Sequence, residues 1–420
     1  MKNRSIADRL RTRFSSCYGR LTVLTGARQT GKTTLARLAF PEMPYLSFED
    51  PVVRPAFTRL SAAEWIERYP QAILDEVQKA PSVVESIRAA HDQAAHVRYL
   101  LLGSSQILLL SQVKESLAGR AAIEELWPLT LPEVATSGWG DPVPESRLIA
   151  WLRDGKRSNK IFLGIPSASQ SHARYAALFE RYLNFGGMPV MSDASIGDAE
   201  RSAWLSDYQR TYLERDVADL SSLRDLEPFV LAQRAIARQS ARLVNFSDLA
   251  RLVSIAPNTA RRFLRYLELS YQAIELPAYF RNQQKRLSRM PKIHMLDPGV
   301  LQSVTRRSGE PTGEEFKSAV VAEIYKQGRN AAIPAHFYHL RTRDGREVDL
   351  LLELETGFVA FEIKAARRVA NTDARPLRNL ADILDKPLLG AFLLSNDPDA
   401  RILPDGIIAL PAAWALSPAS

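Results

Sequence analysis

The chain has 420 residues, of which 46% are hydrophobic and 24% are charged, and its formal net charge is +8. That composition excludes a disordered or fibrous chain, and at roughly 150 residues per domain the length indicates two to three domains. The one cysteine, Cys17, excludes an internal disulfide and favours a cytoplasmic location. No run of about 18 apolar residues is present that would span a bilayer, so we expect no membrane partner.

The positive charge is concentrated in the middle of the chain. Residues 141–310 have a net charge of +7, whereas residues 1–140 have +3 and residues 311–420 have −2. Within residues 230–292, 12 lysines and arginines stand against three acids. Such an excess releases counterions on contact with a phosphate backbone, but an ordinary solvated surface explains it equally well.

The apolar pattern predicts an α/β protein with four segments. In residues 1–140, short apolar runs alternate with longer amphipathic stretches, which is typical of βαβ units around a parallel sheet. Residues 141–225 have helical spacing and predict a helical lid or connector, residues 226–310 form the basic middle, and residues 311–420 again alternate helix and strand. The predicted strands are Leu21–Thr25, Tyr45–Glu49, Ala72–Asp75, Val97–Gly103 and Ala122–Leu129, and later Val348–Glu353, Val359–Ile363 and Leu388–Leu394, which follow an amphipathic helix Phe316–Gln327.

A phosphate-binding loop is the strongest local signal. The pattern GxxxxGK[ST] follows the first predicted strand and opens a helix at Thr34, the context that a P-loop requires. Its backbone N–H groups and the helix N-terminus would bind phosphate oxygens, Lys32 would reach the β- and γ-phosphates, and the Thr33 hydroxyl would bind Mg²⁺. The eight positions are Gly26, Ala27, Arg28, Gln29, Thr30, Gly31, Lys32 and Thr33.

A second acidic element follows the third predicted strand. Asp75 and Glu76 end the apolar run that starts at Ala72. We expect Asp75 to hold Mg²⁺ through water and Glu76 to orient and deprotonate the attacking water. Because no Asn-Lys-x-Asp motif for guanine is present, ATP is the expected nucleotide.

With these two motifs the chain resembles the AAA+ ATPases. Ser104 follows the fourth predicted strand and Arg120 precedes the fifth. By resemblance, Ser104 is the sensor of the γ-phosphate and Arg120 is an arginine finger that acts on a neighbouring subunit. The resemblance therefore implies a homo-oligomer, with a hexameric ring as the candidate arrangement. The alternative is that Arg120 pairs locally with Glu124 or Glu125.

Further stretches make the chain similar to one prokaryotic AAA+ family with an uncharacterised C-terminal module. The matching stretches together cover most of the chain. Their order and spacing are those of the family, which supports the resemblance. The matching stretches are Gly26–Thr34, Leu74–Gln78, Ser116–Glu133, Tyr182–Pro189, Tyr212–Leu220, Phe246–Leu269, Lys285–Gly299 and Arg346–Lys364.

The basic middle resembles a winged helix-turn-helix. Ser247 is suited to cap its first helix and Pro257 to open its second, although similar turns often have Gly where Ser254 stands. The second helix could lie in the major groove of DNA, or the module could dock a protein instead. Its candidate nucleic-acid residues are Arg261, Arg262 and Arg265, extended by Lys285 and Arg286.

The C-terminal segment resembles the PD-(D/E)xK nuclease core and a restriction-endonuclease-like fold. Asp349 and Glu362 would lie on adjacent strands and share a divalent metal, and Lys364 would point to the same face. Glu323 on the preceding helix fits the additional acid of that fold. Val348 replaces the leading proline of the motif, and the alternative is a degenerate domain kept for binding or assembly.

We therefore expect a Mg²⁺-dependent AAA+ ATPase that couples ATP turnover to work on DNA. One alternative is a nucleotide-dependent switch that docks a protein partner. The other is a metal-dependent nuclease that the ATPase gates.

Overall fold

The computed structural model describes residues 1–103, 117, 119–154, 157–163, 169–213, 226–280, 290–342 and 345–419. No helix within these ranges is long and apolar enough to cross a bilayer. Ser104, Lys285 and Arg286 lie outside the described residues.

The N-terminal sheet confirms the predicted parallel α/β arrangement. Across the described residues its strand order is β2-β3-β4-β1-β5, and all neighbouring strands run parallel. Strand β4 therefore separates β1, which leads into the phosphate loop, from β3, which ends at Asp75. The elements are α1 (Ala7–Ser15), β1 (Leu21–Thr25), α2 (Lys32–Ala39), β2 (Tyr45–Ser47), α3 (Arg54–Thr58), α4 (Ala62–Arg68), β3 (Gln71–Asp75), α5 (Pro81–Gln93), β4 (Arg98–Leu102) and β5 (Ala121–Glu125).

Alternating side chains bury both faces of this sheet. Leu24 and Leu100 pack with residues of α1 and α2 on one face, whereas Val23 and Leu101 pack with α4 and α5 on the other. Strands that are buried on both faces read as continuous apolar runs, which is why the sequence predicts them within a few residues.

The middle of the chain forms a helical module with a two-stranded antiparallel sheet. Its core joins side chains from Met188 to Val304. Strands β6 and β7 follow the two helices that were predicted as a helix-turn-helix, as the wing of a winged helix would. The elements described between residues 131 and 305, inside and outside this module, are α6 (Leu131–Ala135), α7 (Arg147–Arg153), α8 (Gln170–Phe185), α9 (Asp198–Tyr208), α10 (Glu227–Arg238), α11 (Phe246–Leu252), α12 (Pro257–Leu269), β6 (Ala273–Leu276), β7 (Lys292–Met295) and α13 (Pro298–Thr305).

The region around α11 and α12 bears on two predictions: the glycine expected at position 254 and the helix cap expected at Ser247. Ser254 has φ +56°, the left-handed region that favours glycine. Helix α11 begins at Phe246, so Ser247 lies inside it and the side chain of Asn245 caps it, accepting hydrogen bonds from the amides of Ser247 and Asp248. Pro257 opens α12 as expected.

The C-terminal segment contains a mixed sheet. Its order in the described residues is β12-β13-β11-β10-β9-β8, with β9 and β10 antiparallel and β10 and β11 parallel. Asp349 and Glu362 consequently lie on adjacent strands, as the sequence predicts. The elements are α14 (Gly313–Asn330), β8 (His336–Arg341), β9 (Glu347–Leu354), β10 (Gly357–Lys364), β11 (Leu388–Ser395), β12 (Arg401–Ile402), β13 (Ile408–Pro411) and α15 (Ala412–Ala415).

The predicted connector, residues 141–225, is divided between two cores. Helices α7 and α8 pack on the C-terminal sheet, where the ring of Trp151 meets the edge of Phe392 at 4.9 Å between centroids. Helix α9 contributes Leu205 and Tyr208 to the core of the winged-helix-like module. The described parts of this segment contain helices, and tertiary packing determines which module each helix joins.

Two glycine-containing turns interlock where the modules meet. Gly187 accepts a hydrogen bond from the Leu129 amide at 2.6 Å and donates one to the Asp297 carboxylate at 2.7 Å. A Cβ atom on Gly187 would lie 2.1 Å from the Leu129 carbonyl oxygen, and one on Gly299 would lie 2.1 Å from the Phe185 carbonyl oxygen. The backbone is therefore constrained at Gly187 and at Gly299 by close contacts.

We expect Gly187→Ala to destabilise the protein by about 1–3 kcal/mol, because the added methyl group must displace the Leu129 backbone. Urea unfolding of the two proteins measures the difference. Gly138→Ala is the matched control, since a Cβ atom at Gly138 meets nothing within 4 Å. Equal stability of both variants would contradict the interlock.

Candidate functional site

The phosphate loop is wound tightly at the N-terminus of α2. Gln29 and Gly31 have φ +63° and +88°, and Gly26 has φ +155°. The Nζ atom of Lys32 donates to the carbonyl oxygens of Gly26 and Ala27, each at 2.9 Å, so the ammonium group lies within the loop. Thr30 donates to the Ala27 carbonyl at 2.7 Å. The loop thus places one cation beside the N-terminus of a helix, an arrangement suited to phosphate.

Two residues that sequence reasoning missed hold this loop from outside. Arg4 is buried and donates to the carbonyl oxygens of Thr30, at 2.9 Å, and of Trp127. Tyr208, at the end of α9, donates to the Arg28 carbonyl at 3.0 Å. The loop therefore contacts the N-terminal segment and the winged-helix-like module.

Asp75 and Thr33 meet across β4. The Thr33 hydroxyl donates to Asp75 Oδ2 at 2.6 Å, and the Tyr45 hydroxyl donates to the same oxygen at 2.7 Å. Burial and the Asp75 carboxylate raise the pKa of Tyr45 to about 12, so this hydroxyl stays a donor at neutral pH. A carboxylate beside a threonine hydroxyl at the end of a P-loop fits the ligand set of Mg²⁺.

Glu76 follows in a constrained backbone position. Its φ of +55° lies in the left-handed region, which is uncommon for a residue other than glycine. The side-chain amide of Gln78 donates, through Nε2, to the Glu76 carboxylate at 2.5 Å. Gln78 therefore holds the carboxylate of Glu76 in place. No role was predicted for Gln78 from the sequence, although it is the last residue of the matching stretch Leu74–Gln78.

Arg120 is partly exposed, at the start of β5. Its Nε atom lies 2.9 Å from Asp92, whereas Glu124 pairs with Arg9 and Arg13 instead. The local partner of Arg120 is thus on α5, not on its own strand. Ser104, the predicted sensor, lies outside the described residues.

Helix α12 carries the predicted basic face. Ala260, Phe263, Leu264 and Leu267 are buried, whereas the arginines at 261, 262 and 265 are exposed. Arg261 lies 4.3 Å above the Phe246 ring, and Arg265 pairs with Glu268 at 3.2 Å. The described part of this face is therefore available to a polyanion.

In the C-terminal segment, Asp349, Glu362 and Lys364 line one cleft, together with Lys317. Lys364 pairs with Glu362 at 2.7 Å, as expected for residues on one face of β10. Burial and the neighbouring Asp349 raise the pKa of Glu362 to about 7.

Glu323 does not reach this cleft. Its carboxylate accepts a hydrogen bond from the Leu131 amide at 2.6 Å and pairs with Lys326 at 3.0 Å, completely buried. The expected acid of the nuclease-like site is therefore a contact between α14 and the N-terminal domain.

Protein groups compensate only one of the two carboxylates of the cleft fully, because the Oε2 atom of Glu362 is buried without a hydrogen-bond partner among the described residues, whereas Asp349 is contacted on both oxygens. Asp349 contacts the Nζ atoms of Lys317, at 2.9 Å, and Lys292, at 3.1 Å, and accepts from the Ile363 amide at 3.0 Å. Two ammonium groups and an amide thus compensate the charge of Asp349 and occupy most of its acceptor positions. Across the described ranges, no group of three histidine, cysteine or acidic residues is placed to hold a metal ion.

Comparison with known proteins identifies three matched regions. Residues 18–135 match the family model of an AAA domain, and residues 176–310 and 312–414 match two different domains of unknown function. Two uncharacterized proteins, one of Mycobacterium bovis and one of Mycobacterium tuberculosis, are each 28% identical over 430 residues. The match covers 100% of this chain and 86% of each relative.

Similar solved structures include a Walker-type ATPase of Pyrococcus abyssi, with TM-score 0.41 and 17% identity, covering 71% of this chain and 95% of that chain. A structure of Drosophila ORC bound to DNA has TM-score 0.23 and 16% identity, covering 72% and 85%. At these TM-scores the superpositions carry no functional assignment. The AAA-domain match and the five-stranded parallel sheet with its phosphate loop support a P-loop ATPase.

We expect Tyr45→Phe to raise the Mg²⁺ concentration needed for ATP binding by about tenfold, because the hydroxyl orients Asp75. Titration of Mg²⁺ against a fluorescent ATP analogue measures this. Tyr69→Phe is the control, since Tyr69 packs against Phe57 and Trp65 in the domain core. An unchanged Mg²⁺ requirement would show that Tyr45 does not orient the carboxylate.

Proposed function

We propose that this protein is a Mg²⁺-dependent AAA+ ATPase that couples ATP hydrolysis to work on nucleic acid. The observation that carries the ATPase assignment is the 2.6 Å contact between Thr33 and Asp75 at the end of a complete phosphate loop. Thr33 lies at the start of α2 and Asp75 at the end of β3, 42 positions apart, yet they supply adjacent oxygens.

The loop residues Gly26 to Thr34 would bind the triphosphate, with Lys32 neutralising the β- and γ-phosphates. Thr33 and Asp75 would hold Mg²⁺, which when bound neutralises charge on the phosphate oxygens. Glu76 would accept a proton from the attacking water, and Gln78 keeps that carboxylate oriented. Each step uses a side chain already at the edge of the sheet.

Ser104 and Arg120 complete the proposed machinery. In the sequence, Ser104 comes two positions after Leu102, the last residue of β4, and β4 lies between β1 and β3. Arg120 is partly exposed and would act on ATP in a neighbouring subunit. An arginine supplied in this way requires a homo-oligomer, and a hexameric ring is one arrangement that provides it.

Nucleic acid is the proposed partner because of the exposed arginines on α12. They follow a helix-turn-helix and precede a two-stranded sheet, so α12 would lie against the phosphate backbone. DNA is the expected form, and Lys285 and Arg286 would extend the contact.

We expect DNA to stimulate ATP hydrolysis and Glu76→Gln to lower the hydrolysis rate at least about 100-fold while ATP binding persists. Turnover is measured with linear, single-stranded and branched DNA while light scattering follows the oligomer. Glu85→Gln, an exposed position on α5, is the control. Changing Arg261, Arg262 and Arg265 to alanine should abolish the stimulation but leave basal turnover.

If none of the DNA forms changes the rate of ATP hydrolysis, the proposed action on nucleic acid is wrong, and a switch that docks a protein is favoured. Hydrolysis that survives in Glu76→Gln would remove Glu76 from its catalytic role.

Arg120 is tested by mixing inactive subunits. We expect Arg120→Ala and Lys32→Ala to be inactive alone and to regain partial ATPase activity when mixed, because one subunit then supplies the arginine and the other the nucleotide site. Asp92→Asn, which removes the local partner of Arg120, should remain active. If the mixture stays inactive although both variants assemble, Arg120 does not act between subunits.

A further inference from the structure

The C-terminal cleft is a large polar cavity outside the ATP site. Its volume is about 590 Å³, in the range of natural ligand sites. Four cationic side chains line it, accompanied by four acids. The cations are Lys317, Arg346, Lys364 and Arg375, and the acids are Glu347, Asp349, Glu362 and Asp373.

A fifth cation, Lys292, enters the floor of this cleft from β7. Its side chain is 1% exposed and contacts Glu347 at 2.6 Å and Asp349 at 3.1 Å. Burial lowers its pKa, but these two carboxylates outweigh that effect and raise the pKa above the ordinary value. Lys292 therefore remains a charged group inside the protein.

The floor is thus neutralised without an external ion. Lys292 and Lys317 occupy the directions in which Asp349 would bind a metal, and a divalent cation there would meet two ammonium groups about 3 Å from that carboxylate. Lys364 pairs with the second carboxylate, Glu362. Internal pairs therefore compensate Asp349 and the Oε1 atom of Glu362.

With Lys292 included, five cations stand against four acids in and below the cleft, which leaves a formal net charge of +1. Arg375 is exposed, and Arg346 is half-buried beside it with one nitrogen donating to the Arg378 carbonyl at 2.9 Å. Guanidinium groups in a polar cleft bind phosphate oxygens through paired N–H donors. The chemistry available at the mouth is therefore that of an anion site.

The cleft is also continuous with the winged-helix-like module. Strand β7, which supplies Lys292, pairs with β6, and β6 follows α12 directly. The His339 ring on β8 lies 3.2 Å from the Met290 carbonyl just before β7, and Ala278, just after β6, bridges His339. The stems of the hairpin are therefore fixed to the C-terminal sheet.

From this arrangement we infer that the C-terminal cleft binds the phosphodiester backbone of nucleic acid without a metal ion and without cleaving it. The inference rests on the proposed nucleic-acid function and adds a second contact to the α12 face. Arg346 and Arg375 make the contact, while Lys292 and Lys317 replace the metal in compensating Asp349.

The test measures binding of fluorescent single-stranded and duplex DNA without nucleotide, over a range of salt concentrations, in excess EDTA and in Mg²⁺. Wild type should bind in EDTA, and Mg²⁺ should not strengthen its binding, because Mg²⁺ only competes for the phosphates. Arg346→Ala with Arg375→Ala should weaken binding and lower the slope of log affinity against log salt by about 1.8, since each lost phosphate contact contributes about 0.9. Arg59→Ala with Arg88→Ala, at exposed positions of the ATPase domain, is the matched control.

Arg375→Ala alone keeps the test valid if the double variant fails to fold, because this side chain is exposed. Loss of wild-type binding in EDTA, cleavage of the DNA in Mg²⁺, or a cleft variant that binds like the control would each overturn the inference. If only the α12 variant loses affinity, the cleft assignment fails and the proposed function stands. If wild type binds no DNA at all, both fail.

Discussion

One ion pair that is withdrawn completely from water joins the modules of this protein. Glu323 and Lys326, both on α14, lie 3.0 Å apart and are 0% exposed. Two unpaired charges in such a place would be very costly, and the structure compensates them with hydrogen bonds from the Leu131 amide to Glu323 and from Lys326 to the Tyr182 hydroxyl. Removing one partner of a buried pair costs about 3–5 kcal/mol, so the residues around this pair must keep their arrangement.

Because of this pair, α14 is a shared element of all three modules. Arg329 at its end binds Glu125 of β5 at 2.7 Å, and Ser318 accepts from the Met295 amide of β7 at 3.1 Å. Lys317, one residue earlier, contacts Asp349 in the cleft. A packed helix moves as a rigid unit, so a displacement of the ATPase edge at β5 would reach the wing and the cleft together. Helix α14 is therefore a physical connection between the ATPase sheet, the wing and the cleft.

The sequence was most informative where structure depends on local pattern. The phosphate loop, the strand ending at Asp75 and the exposed arginines of α12 follow from spacing alone, since each is defined by a few neighbouring residues. Glu323 was misplaced because periodicity does not specify which neighbour a helix face meets. Six residues at about 100° each put Glu323 about 120° around α14 from Lys317, so the two side chains point to different modules. Tyr45 gave no signal at all, because its partner Asp75 is brought close only by the pairing of β2 with β3.

The nuclease-like motif shows a different limit. Asp349, Glu362 and Lys364 have the residue types and the alternation that the motif requires, and the structure does place them in one cleft. A motif specifies the residues but not what compensates their charge, and here the compensation comes from Lys292, 57 positions away, and Lys317, 32 positions away. Asp349 thereby ties β7 and α14 to the centre of the C-terminal sheet. Removing a carboxylate used in this way would leave the opposite buried charge unpaired. The presence of these residues in the sequence is therefore not by itself an argument for metal chemistry, since Asp349 also holds the module junction together.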